Sequence, residues 1–148
     1  MNLEQQYIQR NNLGEAPEVP YVFFLVSCEQ PADKLIRVKE IINVIASQQK
    51  GEWPSDEKWN KLLPAWFINI ISANTIEQVK LNPVLWDYSS WLDALKYREW
   101  EWYSSAILPY GFKVCCKINN PIYSINTLEY VIYATGIPQN HIKFTDFV

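Results

Sequence analysis

The spacing of apolar residues changes along the chain, and each spacing predicts a different type of secondary structure. The short run Tyr21–Ser27 is continuously aromatic or aliphatic up to its last residue, which predicts a buried central strand. A helix is then expected to begin at Pro31, because proline is favoured in a first helical turn, and to end before Gly51. The apolar residues that recur at helical spacing within it are Leu35, Val38, Ile41, Ile42 and Ile45.

Residues 99–104 and 112–118 alternate with a period of two, which predicts two half-buried strands. A three-residue loop ending in a left-handed Gly111 would join them as a hairpin that pairs Leu108 with Phe112. This register places the even-numbered positions of both strands on one face, against the helices. The residues expected to be buried are Phe112, Val114, Cys116 and Ile118, whereas Lys113 and Lys117 should face solvent or a partner.

Residues 52–96 are less regular and predict several short helices. Ser55 is a typical helix cap, and Thr75 with Gln78 three residues later forms a capping box. The segment 65–72 is ambiguous between a strand and a helix. After the hairpin, we expect another helix from Asn126 to the region of Gly136, and then a last short strand.

This order of elements predicts an α+β fold. Its arrangement is a two-layer sandwich with a ferredoxin-like βαββαβ antiparallel sheet and a mostly helical insertion, at about residues 52–96, after the first helix. Residues 1–19 are interpreted as a polar N-terminal arm, frayed or forming a short helix, and residues 20–148 as one domain. In the alternative fold, residues 65–72 form a strand and change the order of the sheet.

The composition is that of a globular protein. The chain has 148 residues, of which 49% are apolar and 20% charged, with a net charge of −3. An acidic chain without a basic run is not expected to bind nucleic acid. Only Gly111-Phe112 matches the third-strand aromatic motif of RNA-recognition modules, and the aromatic residues of the first strand are assigned to the core.

The ends and the cysteines indicate a compartment. The N-terminus lacks the basic and apolar regions of a signal peptide, and the longest apolar run is far too short for a membrane helix. The three cysteines are an odd number, which favours a reducing compartment without disulfides. We therefore expect a soluble cytoplasmic protein that does not associate with membranes.

Few residues form a pattern typical of catalysis. Cys28 lies between a strand and a helix N-terminus, where it is either a reactive thiol or a small apolar residue that ends the strand. Cys28, Cys115, Cys116 and His141 lack the spacing of zinc ligands, and no glycine-rich phosphate motif is present, so neither a metal nor a cofactor is expected. Glu99 and Glu101 would share one strand face with Cα atoms about 6.6 Å apart, as paired acid–base carboxylates or as part of a solvated surface.

All seven tryptophans lie between Trp53 and Trp102. They either fill an irregular core or line a binding surface, and acidic residues are interspersed with them. Trp100 and Trp102 share a strand face and are expected in the core, whereas Trp53 and Trp86 are the better candidates for exposure. The candidate binding residues are Trp53, Trp59, Trp86, Asp87, Glu99 and Glu101.

In size and composition the chain resembles small acidic α+β proteins, among them toxin-neutralising immunity proteins. The leading hypothesis is a non-catalytic protein-binding module of inhibitor or immunity type, which occludes a basic protein partner through an aromatic and acidic surface. The alternative is a small-molecule-binding protein or enzyme with a tryptophan-lined pocket that uses Glu99, Glu101 or Cys28.

Overall fold

The described residues fold around a four-stranded sheet. A computed structural model describes residues 1–10, 14–48 and 50–147. Within them the strands are β1 (Tyr21–Ser27), β2 (Trp100–Leu108), β3 (Gly111–Ile118) and β4 (Ile142–Phe147). Their order is β2-β3-β1-β4, and every pair of neighbours is antiparallel. The α+β class and the antiparallel sheet expected from the sequence are confirmed.

Seven α-helices lie within the described residues. They are α1 (Leu3–Gln9), α2 (Pro31–Ala46), α3 (Asp56–Leu62), α4 (Ala65–Ser72), α5 (Ile76–Leu81), α6 (Tyr88–Lys96) and α7 (Asn126–Ala134), with 3₁₀ turns at Lys50–Glu52 and Gln139–His141. The helices α2 and α7 contact each other and the inner face of the sheet. In the part of the chain that the structure describes, no helix combines the length and the apolar character needed to cross a bilayer.

The ambiguous segment 65–72 is helical. Its buried residues Phe67 and Ile71 are four positions apart, which places them on one face of α4. The carbonyl of Pro64 accepts hydrogen bonds from the amides of Phe67 and Ile68 and so begins the helix. The alternative fold with a strand at 65–72 is therefore wrong, and the described residues between α2 and β2 form helices and no strand.

The β2–β3 hairpin is tighter than the sequence predicts. Leu108 pairs with Gly111 across a two-residue loop, and a bulge between Trp102 and Ser104 shifts the register further along. Gly111 does not have a positive φ, but a Cβ at this position would collide with the carbonyl oxygen of Val26 on β1. The predicted three-residue loop and left-handed Gly111 are wrong, because glycine is required here for close approach of β1.

The two faces of β3 are covered differently. Phe112, Val114, Cys116 and Ile118 are buried and Lys117 is exposed, as predicted. Cys115 is also buried, on the opposite face, because residues 14–15 pass over it. Its Sγ lies 3.7 Å from the carbonyl oxygen of Gly14, and Ser104 Oγ donates to the Glu15 carbonyl at 2.5 Å.

The central strand β1 is buried on one face only. Val22, Phe24 and Val26 are buried. The alternate residues Tyr21 and Phe23 are only partly buried, and the side chain of Leu25 is 39% exposed. The continuous apolar run therefore identified a central strand correctly, but the assignment of Tyr21 and Phe23 to the core was wrong.

Residues 3–9 of the N-terminal segment form α1, which contacts β2 and α2. Asn2 and Gln5 make the reciprocal hydrogen bonds of a capping box, at 2.9 and 3.1 Å. Asn2 Nδ2 also donates to the carbonyl of Ala46 at the end of α2, at 2.7 Å. Helix α1 is thus attached to the domain through its contacts with β2 and α2.

Candidate functional site

Four tryptophans are fully buried and three keep exposed surface. The buried ones are Trp59, Trp91, Trp100 and Trp102, each 0% exposed. The partly buried ones are Trp53, Trp66 and Trp86. The core position expected for Trp100 and Trp102 is confirmed, and the aromatic-rich region consists mainly of packing residues.

Three indole rings hold the backbone at the start of α7. The hydrogen bonds run from Trp100 Nε1 to the Ser124 carbonyl (3.0 Å), from Trp91 Nε1 to the Thr127 carbonyl (3.1 Å) and from Trp86 Nε1 to the Asn126 carbonyl (3.4 Å). The donors belong to β2, α6 and the residues just before α6, so three segments are tied to one helix start. These rings have a structural role that their residue type alone did not reveal.

Trp59 and Trp53 form a tilted pair of contacting rings that differ in exposure. Trp59 is completely buried, so its ring does not reach the surface as a binding residue would. Trp53 is partly exposed and packs against it, with ring centroids 4.9 Å apart and planes at 52°. Because one ring supports the other, Trp53 presents a surface that is already ordered.

A shallow depression of about 280 Å³ lies beside Trp53, and we call it the acidic groove. Its lining residues are Trp53, Asp56, Ser89, Ser90, Leu92, Asp93 and Lys96. Asp56 and Asp93 are exposed, and Ser89 Oγ donates to Asp56 Oδ2 at 3.1 Å, which links α6 to α3. Lys96 is the only cation among the lining residues, so the groove carries an excess of negative charge.

The tyrosine next to the groove does not add to this charge. Burial, followed by the proximity of Asp56, raises the pKa of Tyr88 to about 12. Its hydroxyl oxygen is buried and has no hydrogen-bond partner among the described residues. Tyr88 therefore remains neutral at physiological pH, and the charge of the groove comes from Asp56, Asp93 and Lys96.

Trp86 and Asp87 lie outside the acidic groove. The Asp87 carboxylate accepts the amide hydrogen of Ser90 at 3.1 Å and caps α6. The Trp86 carbonyl accepts from Asn74 Nδ2 at 2.8 Å. Both residues thus contribute to holding α6 in place.

Glu99 and Glu101 do not share a strand face. Glu99 precedes β2 and has a φ of 56°, so the alternation of strand residues does not extend to it. Glu101 is exposed on β2 opposite Lys117 and accepts a hydrogen bond from Asn119 Nδ2 at 3.2 Å. The expectation of a carboxylate pair on one face is wrong, because the left-handed residue changes the direction of the chain.

A larger cleft, of about 650 Å³, surrounds Cys28. Its lining comprises Ser27, Cys28, Glu29, Gln30, Pro31, Lys34, Pro109, Tyr110, Pro138 and His141. Burial raises the pKa of the Cys28 thiol, and the charge of Lys34 opposes this effect in part. Because the net direction is upward, the thiol is less ionised at neutral pH than an ordinary cysteine, which is the opposite of an activated nucleophile.

The sheet brings His141 to this cleft from the other end of the chain. His141 Nδ1 lies 3.2 Å from the carbonyl oxygen of Ser27, 114 residues away. Since a carbonyl only accepts, Nδ1 carries the proton in this contact. Sequence reasoning missed the meeting of these segments, and the signal for it is the antiparallel pairing of β1 with β4, which places Val26 opposite Ile142.

The described residues contain neither a disulfide nor a metal-binding cluster. All three cysteines are free thiols. The ranges 1–10, 14–48 and 50–147 contain no cluster of three or more His, Cys, Asp or Glu that could hold a metal ion. The carboxylates of Asp56 and Asp93 can accept hydrogen bonds, and Trp53 presents an aromatic ring beside them, which is chemistry for binding.

Comparison with known proteins adds no relative. No protein-family model matches the sequence, and neither a curated protein nor a solved structure is significantly similar to it.

Proposed function

We propose that the protein is a non-catalytic protein-binding module that occludes a basic protein partner through the acidic groove. The observation that carries this proposal is the position of partly exposed Trp53 beside the exposed carboxylates of Asp56 and Asp93. In this mechanism Trp53 inserts into the partner as an anchor. The two carboxylates accept hydrogen bonds from Arg or Lys side chains around it.

Order in the free protein favours such an anchor. Trp53 rests on the fully buried Trp59, so little conformational freedom is lost when its exposed edge meets a partner. The hydrogen bond from Ser89 to Asp56 likewise positions one carboxylate before binding. Glu52 and Glu57, adjacent in sequence to the groove residues, are exposed and extend the negative surface that would attract a basic partner.

The alternative function, a tryptophan-lined small-molecule pocket, has less support. The larger cleft, at Cys28, is lined by no tryptophan, and the acidic groove contains a single one. Glu99 and Glu101 line neither of these depressions. The raised pKa of Cys28 also disfavours a nucleophilic role.

We further infer that the fold is a ferredoxin-like two-layer sandwich in a reducing, cytoplasmic environment. Since β1 and β2 are each antiparallel to β3, they are parallel to one another and lie on its two sides, as in a split βαβ unit. The three free thiols support the reducing compartment. An experimental structure in which the crossovers do not place α2 and α7 on one face of the sheet would contradict this topology.

The test is capture of a partner by the tagged chain in cells that naturally produce it, followed by a titration of the purified pair. Trp53→Ala should weaken the complex about 30-fold or more, as expected for loss of an aromatic anchor. The double substitution Asp56→Lys and Asp93→Lys should mainly lower the association rate and its dependence on salt.

The matched control is the double substitution Ile76→Ala and Glu77→Lys on α5. Both residues are exposed and lie outside the groove, so affinity should change little. Thermal melts of all variants separate loss of binding from loss of folding. A partner that binds the groove variants as tightly as the unmodified chain, or an acidic partner, contradicts the proposal.

A further inference from the structure

The outer face of the sheet combines aromatic rings with lysines. We call this surface the aromatic–lysine face. It is formed by the outward residues Tyr21, Phe23, Lys113, Lys117, Lys143 and Phe147. Phe147 is 44% exposed, and Lys117 and Lys143 are exposed. The neighbouring Leu25, 39% exposed, shows that this part of β1 is open to solvent.

The rings on this face are stacked across strands. Phe147 on β4 lies 4.7 Å from Tyr21 and 5.9 Å from Phe23 between ring centroids, and both pairs have planes 21° apart. Nearly parallel rings with an exposed outer member form a stack that another flat ring can extend. A nucleobase has such a ring, and stacking on aromatic side chains is tolerant of its identity.

The lysines lie on both sides of this stack. Lys117 on β3 pairs with Tyr21, and Lys113 and Lys143 both pair with Leu25 from opposite sides. Lys113 Nζ also lies 4.5 Å from the centroid of the Phe23 ring. The outward positions of β1, β3 and β4 contain these three lysines and no aspartate or glutamate. Glu101 on the neighbouring β2 lies opposite Lys117, so three lysines and one carboxylate leave the face with a positive excess although the whole chain has a net charge of −3.

We propose that the aromatic–lysine face binds single-stranded nucleic acid. A strand laid across the sheet passes from β4 to β3, about 10 Å apart, and meets Phe147 and Tyr21 as stacking partners and the lysines as phosphate contacts. A base-paired duplex cannot offer its bases to the ring stack. An acidic peptide would use the lysines but not the flat stack, which is why the geometry favours the nucleic acid.

The sequence alone predicts that the protein does not bind nucleic acid. That prediction rests on the net charge of the whole chain. Electrostatic attraction within about 8 to 10 Å depends instead on the charges nearest the ligand, because salt screens the more distant ones. With three lysines available, few counterions are released. We therefore expect the affinity for single-stranded nucleic acid to be weak and to come in large part from stacking.

The test is fluorescence anisotropy with labelled oligo-dT and oligo-U of about 12 nucleotides, titrated with the protein at several salt concentrations. Phe147→Ala should weaken binding about 10-fold through loss of a stacking ring. Lys117→Gln should lower the salt slope by about 0.7, the value for one phosphate contact on a single strand. Tyr110→Ala, a loop aromatic that is 84% exposed, and Lys80→Gln on α5 are the matched controls and should have no effect.

Two further probes separate the proposal from its competitors. Polyglutamate and a DNA duplex of the same length should bind more weakly than the single strands. If either binds as well, the face is a general polyanion surface and the proposal is wrong. No binding at low salt, or binding insensitive to the face variants, also overturns it. Should Phe147→Ala not fold, Phe147→Leu and Lys143→Gln provide the same comparison.

Discussion

Glu4 on α1 forms a bidentate ion pair with Arg98, with its two carboxylate oxygens 2.6 and 2.7 Å from the guanidinium nitrogens. The side chains of Arg98 and Glu4 are only 13% and 9% exposed. The same carboxylate accepts the backbone N–H of Trp102, at 2.8 Å, on the edge strand β2. A polar N-terminal residue thus pairs with a largely buried cation and with an open strand edge at once.

Glu4→Gln should lower the free energy of unfolding by about 3 kcal/mol, because it leaves the guanidinium of Arg98 without a counter-charge in a site with little water. The measurement is urea denaturation at neutral pH. Glu18→Gln is the control, since Glu18 is exposed and outside any helix or strand. A loss below about 0.5 kcal/mol would show that α1 is held by apolar packing alone.

Gly111→Ala should be strongly destabilising. Its Cβ would meet the carbonyl oxygen of Val26, so β1 and the hairpin must separate, at a cost of about 3 kcal/mol. The matched substitution Gly51→Ala adds a methyl group that meets nothing within 4 Å, and it should change stability by about 0.5 kcal/mol or less. The melting temperatures of the two variants are compared. Equal values would contradict the close approach of the Val26 carbonyl to Gly111.

Alkylation should modify Cys28 slowly and leave Cys115 and Cys116 unmodified in the native protein. Burial raises the pKa of Cys28 above its ordinary 9.0, so its thiolate fraction, and the rate, should rise with pH through the range above that value. Cys115 and Cys116 are 0% and 1% exposed. The measurement is the rate at which iodoacetamide modifies each thiol between pH 7 and 10, compared with the rate for a free cysteine derivative.

Two variants test the environment of Cys28. Cys28→Ser should abolish native-state labelling, and Lys34→Gln should slow it, because the cation that partly offsets the burial effect is removed. Labelling of Cys28 faster than the free derivative at pH 7 would contradict the raised pKa and favour the nucleophilic function.

Trp59→Ala and Trp53→Ala should differ sharply in stability although their rings touch. Removal of the fully buried Trp59 should cost about 3 to 5 kcal/mol, as for other large-to-small core substitutions. Trp53 is partly exposed, and its removal should cost about half as much or less. Equal losses in denaturant titrations would assign Trp53 to the core and remove the anchor of the proposed binding surface.

Local signals predicted the local elements well. Helix α2 begins at Pro31 because its fixed φ and missing N–H suit a first turn. Thr75 and Gln78 form the predicted capping box of α5, and the period-two pattern of β3 gives its buried face. Each of these signals acts within a few residues, so it could be recognised without knowing the rest of the chain.

Distant contacts decided the remaining features. The outer face of β1 has the same kind of residues as its inner face, and only the positions of α2, α7 and residues 14–15 determine which side chains are covered. The meeting of Ser27 with His141 and the ion pair of Glu4 with Arg98 likewise follow from the order of the strands and the docking of α1.

The sequence by itself determined the α+β class, the central position of β1 and helix starts such as Pro31 and Thr75, because hydrophobic period and capping chemistry are properties of neighbouring residues. The end of α2 lies at Ala46, several residues before the predicted stop at Gly51. Only the tertiary structure decided that Trp59 and Trp91 are also core, that Asp56 and Asp93 flank one groove with Trp53, and that three lysines surround a stack of aromatic rings. Exposure and clustering of side chains depend on segments far apart in the chain. Their contacts arise from packing as a whole, and no local pattern encodes them.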